Sequence, residues 1–195
     1  MKKLIAGLVV ILAVGAVASL LWPSVRSSRD LPAISYQDSF LQDRAEYFVY
    51  FYMEQCHFCQ ELEPYILKFH NEGVPIYVVD MADPANANAW YDWDTHHEQH
   101  TQVVGEVADG EIIFHEGINE EDFSRTDGWE IVEVDGHAIA RLNRADFNRT
   151  PATYEELEVT GTPMMLHIIN GQAVGFDSGV QVSRDMLASY AGRHE

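Results

Sequence analysis

The sequence predicts an α/β protein: a central mixed sheet flanked by helices, interrupted by a partly β insertion. Three observations predict it. An aromatic run from Glu46 to Met53 leads into a helical pattern and then into a second apolar run, Val74 to Val79. That is a strand–helix–strand unit. Met164 to Ile169 and Gln172 to Phe176 flank Asn170-Gly171, a strong hairpin signal, and a helical pattern follows. Between the two units lies a long stretch with turn signals of its own, Asp109-Gly110 and Asp135-Gly136.

The chain of 195 residues suggests one domain with appendages. Met1-Lys2-Lys3 is followed by an uncharged run, Leu4 to Trp22. As a helix this run would measure roughly 28 Å, about one hydrocarbon core. Residues 1–23 are therefore expected to be a single-pass membrane anchor. The lysines before the run place the bulk of the chain outside the cytoplasm. The alternative is a signal peptide cleaved after Ala18, within Ala16-Val17-Ala18, giving a secreted protein. Residues 24–34 read as a tether, and 35–195 as the domain, with the insertion at 82–160.

Tyr36 to Arg44 has helix-like spacing. Glu46 to Met53 suits a central strand covered on both faces. Leu62, Tyr65, Ile66 and Phe69 mark one face of a helix over Gln60 to Phe69, with a kink expected at Pro64 and an end at Asn71-Glu72-Gly73. In the insertion, Asp83-Pro84 reads as a cap and first turn for a helix over Ala85 to Tyr91. Asp94 reads as the cap of a helix from Thr95 to Thr101. Two hairpins follow, Val103–Val107 with Glu111–His115 and Trp129–Val134 with His137–Arg141. Thr153-x-x-Glu156 has the spacing of a capping box. Trp90, Tyr91, Trp93 and Trp129 are expected to form a small core under the insertion. Ser183 is expected to cap a terminal helix ending at Tyr190.

The chain has 12 Lys+Arg against 31 Asp+Glu, a balance that argues against nucleic acid and anionic membrane surfaces as partners. Its only two cysteines form Cys56-His57-Phe58-Cys59, at the end of the aromatic strand and the start of a helix. Two cysteines are too few for a disulfide scaffold or a four-cysteine zinc site. At a helix N-terminus the first sulfur, Cys56, is favoured as a thiolate and is the candidate nucleophile; Cys59 is the candidate resolving thiol. A static bridge is the competing reading of the pair. His57, if protonated, would stabilise the Cys56 thiolate and make the disulfide more oxidising.

The sequence resembles the thioredoxin superfamily. The resemblance rests on the aromatic strand before Cys56-His57-Phe58-Cys59, on Pro64, on Gly161-Thr162-Pro163 leading into a strand, on the Asn170-Gly171 hairpin and on Gly179. It covers about Ser35 to Met81 and Thr160 to Gly192. It implies a thioredoxin-like fold and a thiol–disulfide oxidoreductase with no cofactor beyond a Cys56–Cys59 disulfide. It also implies a cis Thr162-Pro163 bond beside the sulfurs, with Thr162 and Pro163 meeting an extended substrate. Two departures stand out. Phe58 occupies the place where relatives carry histidine, so His57 and Phe58 are the redox-tuning pair here. Tyr50 stands where thioredoxins bury an aspartate, and Glu54 and Glu61 are the nearest other carboxylates. The expected partners are thiols and disulfides of exported proteins, and a membrane redox partner. The direction, oxidase or reductase, is open. A non-catalytic module holding an exported partner is the alternative. His96, His97 and His100 invite a metal reading, but a solvated helix face is the expectation, and no metal site is assigned.

Overall fold

The computed structural model describes residues 25–194. The expected N-terminal anchor or signal peptide lies outside them. Among the described residues no helix is long and apolar enough to cross a membrane. In chain order the elements are β1 (Glu46–Tyr52), α1 (His57–Asn71), β2 (Ile76–Asp80), α2 (Trp93–Gln99), β3 (Thr101–Ala108), β4 (Glu111–Phe114), β5 (Trp129–Val134), β6 (His137–Leu142), β7 (Met164–Ile169), β8 (Gln172–Ser178) and α3 (Val180–His194).

The main sheet has the order β2-β1-β7-β8. β1 runs parallel to β2 and antiparallel to β7, and β7 runs antiparallel to β8. The fold is thioredoxin-like: a mixed sheet whose central strand delivers the chain into the helix that carries the cysteines. β1 is apolar at nearly every position because both of its faces are covered. Phe48, Tyr50 and Tyr52 share one core with Leu62, Ile66 and Phe69 of α1 and Leu187 of α3. Tyr47, Val49 and Phe51 share the other with Leu166, Ile168 and Phe176. That second core is closed by Tyr36, Ala89, Leu157 and Val159, which lie in or beside short 3-10 turns and irregular segments. The start of the described chain also packs down. Leu31 is buried, and residues 32–34 run along β2, with Ile34 N–H on the Val78 carbonyl at 2.9 Å and Val78 N–H on Pro32 at 2.9 Å.

The insertion builds a second, antiparallel sheet in the order β4-β3-β6-β5. Its own core is small: Val104, Phe123, Ala138 and Ala140, with Trp129 against it. Asp109-Gly110, Asp135-Gly136 and Asn170-Gly171 each place two successive residues at positive φ. Such turns match the right-handed strand twist, which is why these dipeptides announced three hairpins.

Several expected elements differ. Tyr36 to Arg44 is helical only as a 3-10 turn over Tyr36–Asp38. The helix expected over Ala85 to Tyr91 is a 3-10 turn, Pro84–Ala89, although Asp83 does cap it through the Ala85 N–H at 2.9 Å. Asp92, not Asp94, caps α2, again at 2.9 Å, and the chain turns to strand at Thr101. Thr153 makes no side-chain cap; the Glu156 carboxylate instead accepts the Ala152 N–H at 2.9 Å. α3 begins at Val180, so Ser183 lies inside it and its hydroxyl donates back to the Gly179 carbonyl at 2.8 Å. The four aromatics do not share one core: Trp129 joins the insertion core, whereas Trp90 packs on the second face of the main sheet. Composition cannot assign an aromatic to one of two cores; only the crossing of the chain does.

Candidate active site: the Cys56–Cys59 dithiol

β1 ends at Tyr52, and a tight turn returns the Cys56 N–H to the Met53 carbonyl at 3.1 Å. Cys56 is then the N-cap of α1, in extended backbone geometry. Its sulfur takes the position of a capping oxygen and accepts the Cys59 N–H at 3.4 Å. Cys56 is half-buried and Cys59 buried, and both are free thiols.

The two sulfurs are electrostatically unlike. Burial pushes the Cys56 thiol up, but hydrogen bonds from the Thr162 and Cys59 side chains and from the Cys59 and Phe58 N–H groups outweigh it. The net result lies below the ordinary thiol value. Burial dominates at Cys59 and pushes it up to about 11, against an opposing hydrogen bond from the Met53 backbone. The first thiol thus ionises more readily than the second.

The Thr162-Pro163 bond is cis. The Thr162 carbonyl lies 3.2 Å from the Cys56 sulfur and accepts its S–H in the neutral form. Pro163 is buried beneath. The structure therefore brings the Thr162-Pro163 pair beside Cys56 and Cys59, more than a hundred residues away in sequence. His57 and Phe58 both stand exposed on the first turn of α1, their rings 5.7 Å apart. The described ring contact of His57 is with Phe58, not with Cys56.

Tyr50 fills the space beneath the pair, fully buried. Its hydroxyl donates to the Cys59 carbonyl at 3.4 Å, and burial holds the phenol far above its ordinary range, so it stays neutral. Behind Cys59 is a cavity of about 190 Å³ lined by Tyr50, Ser28 and Glu63, among others. The Glu63 carboxylate accepts the Ser28 N–H at 2.7 Å. Sequence reasoning weighed Glu54 and Glu61 and missed Glu63. Its signal was the i, i+4 spacing from Cys59, which puts both on one helix face. Glu54 is exposed and paired with Arg29, and Glu61 lies across α1 on a larger cleft. That cleft, about 620 Å³, lies between Phe58, the Thr160–Pro163 segment and the insertion residues 143–149.

The histidines of α2 are engaged otherwise. His96 is buried, with one ring nitrogen 2.9 Å from the Tyr91 hydroxyl and the other 3.1 Å from the Leu142 carbonyl. Burial, with His100 beside it, pushes its pKa down. His100 stacks on it at 4.4 Å, and His97 meets Asn143 at 2.9 Å. These rings pin α2 to the end of β6. Among the described residues no group of three or more His, Cys, Asp or Glu side chains is placed to hold a metal.

No protein-family model matches the sequence. No curated protein matches it. Among solved structures the chain is similar to thioredoxin f2 of Chlamydomonas reinhardtii, at 13% identity and a TM-score of 0.38, over 85% of this chain and 96% of that one.

Proposed function

We propose that this protein is a thiol–disulfide oxidoreductase acting on cysteines of exported proteins, held at the outer face of the cell membrane by its N-terminal segment. The observation that carries the reading is the asymmetry of the pair: a half-buried Cys56 below the ordinary thiol value, over a buried Cys59 raised to about 11. The extracytoplasmic setting rests on the Leu4 to Trp22 run and the lysines before it.

The exchange uses only this pair. The Cys56 thiolate attacks a substrate disulfide; a bond forms from the Cys56 sulfur to one substrate sulfur, and the other leaves as thiolate. Cys59 then loses its proton and attacks the Cys56 sulfur. The substrate sulfur bonded to Cys56 leaves as thiolate, the substrate is reduced by two electrons and the protein is oxidised by two. Substrate oxidation runs the same steps in reverse. A lowered Cys56 pKa stabilises the reduced protein and so favours this reverse, oxidising direction.

Alkylation of the reduced protein as a function of pH tests the reading. Cys56 is expected to react with iodoacetamide at a lower pH than an ordinary free thiol. Cys59 is expected to stay unmodified until the pH nears 11. Equilibration with glutathione then sets the direction: a potential near roughly −270 mV marks a reductase, and one well above it an oxidase. Equal, ordinary alkylation midpoints for both thiols would sink the enzyme reading.

The reading assigns receipt of the Cys59 proton to Glu63, which lines the same cavity behind it. Glu63→Gln is expected to slow the second step about 10- to 100-fold, at the low end of what a general base contributes. Rapid-quench measurement of mixed-disulfide decay would show it. The first step, made by Cys56, is expected to keep its rate and pH midpoint. A variant in which both steps slow together would assign Glu63 a purely structural role.

A further inference from the structure

We propose that the cleft between the first turn of α1 and the insertion, beside the dithiol, is a recognition groove that selects cysteines flanked by a large apolar side chain and a single carboxylate. The proposal rests on the redox reading above and names the substrate class for it.

The groove adjoins the reacting atoms through the Thr162-Pro163 pair. Thr162 and Pro163 line it, and the Thr162 carbonyl faces the Cys56 sulfur at 3.2 Å. Three aromatic rings from three separate elements face it: Phe58 of α1, Trp93 of α2 and Phe147 after β6. Phe58 is 58% exposed and open to a ligand in the cleft. The other two rings are held in place. Trp93 donates its indole N–H to the Thr160 carbonyl at 3.0 Å. Phe147 stands edge-on to Phe176 at 6.0 Å, with the Arg149 guanidinium over its face at 4.9 Å. Walls fixed in advance lower the ordering cost of binding, and a volume of about 620 Å³ suits a few extended residues rather than a folded surface.

The groove is formally neutral in an acidic chain, with Arg144 and Arg149 set against Glu61 and Asp177. The protein has a formal net charge of −19, yet the insertion wall presents Arg144 and Arg149. Arg149 is paired with Asp177. Arg144 is exposed and has no carboxylate partner among the described ion pairs. Its backbone is nonetheless pinned. The Asn143 N–H donates to the Gly128 carbonyl at 2.7 Å, and Gly128, at φ 88°, lies so close that a Cβ there would collide with the Arg144 side chain. An arginine held at its base on a groove rim, with its guanidinium unpaired, is a site for a carboxylate. Glu61 on the α1 wall repels a carboxylate there, so the acidic residue is selected at the insertion side only. The net negative field disfavours a run of acids, which leaves a single carboxylate as the matching charge.

The test uses the Cys59→Ala protein with Cys56 carried as its 5-thio-2-nitrobenzoate adduct. Synthetic single-cysteine peptides displace the chromophore. They carry Phe or Ser beside the cysteine, and Asp or Lys two to four residues away. The readout is the ratio of rate constants between paired peptides, so general losses cancel. At physiological salt the Phe-Asp peptide is expected to react about fivefold faster than Phe-Lys, the scale of one exposed ion pair. Phe-Asp should likewise exceed Ser-Asp. Arg144→Glu is expected to reverse the Asp-to-Lys ratio. Arg125→Glu, the same charge change elsewhere on the insertion, should leave it as it was. An Asp-to-Lys ratio at or below one in the parent, or equal effects of the two Arg variants, would overturn the proposal. A protein that exchanges with glutathione but ignores the peptide flanks loses this inference alone. One whose Cys56 reacts with neither loses the redox reading as well.

Discussion

Replacing Cys59 by Ala is expected to convert the protein into a trap that accumulates mixed disulfides through Cys56. The attacking sulfur remains at the N-terminus of α1, and its intramolecular release is gone. In the parent, Cys59 lies one helical turn away, with its N–H 3.4 Å from the Cys56 sulfur, so release is effectively unimolecular. Without it, escape needs an external thiol. Turnover should fall at least about 1,000-fold, the order seen when a residue acting as part of a catalytic unit is removed. Cys56→Ser should lose turnover to the same extent and form no adducts. Mass spectrometry of adducts recovered from cells, with and without reductant, reads both results and names the substrates. Adducts that form through Cys56→Ser as readily as through Cys59→Ala would contradict the assignment of roles.

Loss of the Phe51 ring is expected to destabilise the domain by about 3–5 kcal/mol, measured by urea unfolding of Phe51→Ala. Phe51 is fully buried on the β1 face opposite α1, edge-on to Phe176 at 5.7 Å. Phe176 in turn holds Phe147 at the wall of the groove. The cavity left by the ring thus lies between the central strand and the insertion side of the site. Against a typical total of about 5–15 kcal/mol, this is a large fraction of the stability. Leu41→Ala is the contrasting case: Leu41 is 74% exposed, and its loss should change stability by no more than about 0.5 kcal/mol. Comparable effects at the two positions would mean that the second face of β1 is not the packed core described here.

How far the sequence reached can be judged element by element. The strand β1 was legible because burial on both faces requires apolar side chains at successive positions, and no other segment of the chain is so aromatic. The three hairpins were legible because their turns need positive φ at two residues, which Asp-Gly and Asn-Gly supply at low cost. Cys56 and Cys59 were legible as a candidate pair because their spacing at the junction of strand and helix is a local property of the chain. Helix starts were less so. Asp92 and Asp94 carry the same capping group, and which one caps depends on where the chain enters from the preceding turn. Ser183 has the cap's chemistry but sits inside α3, because Gly179 had already turned the chain.

Glu63 and the groove were hidden for a different reason. Glu63 is one of three nearby glutamates, and only the packing of Ser28 and Tyr50 around it encloses a cavity behind Cys59. Phe58, Trp93, Phe147 and Arg144 are scattered over more than eighty residues and meet only because the second sheet lies beside the first. The sequence by itself determined the strand that leads to the dithiol, the dithiol and its hairpin frame, since backbone conformation and local burial act on neighbours in the chain. The tertiary structure alone decided the unlike environments of the two sulfurs and the shape of what reaches them. Desolvation and hydrogen bonding depend on distance in space, and the groups that supply them come from the far end of the chain.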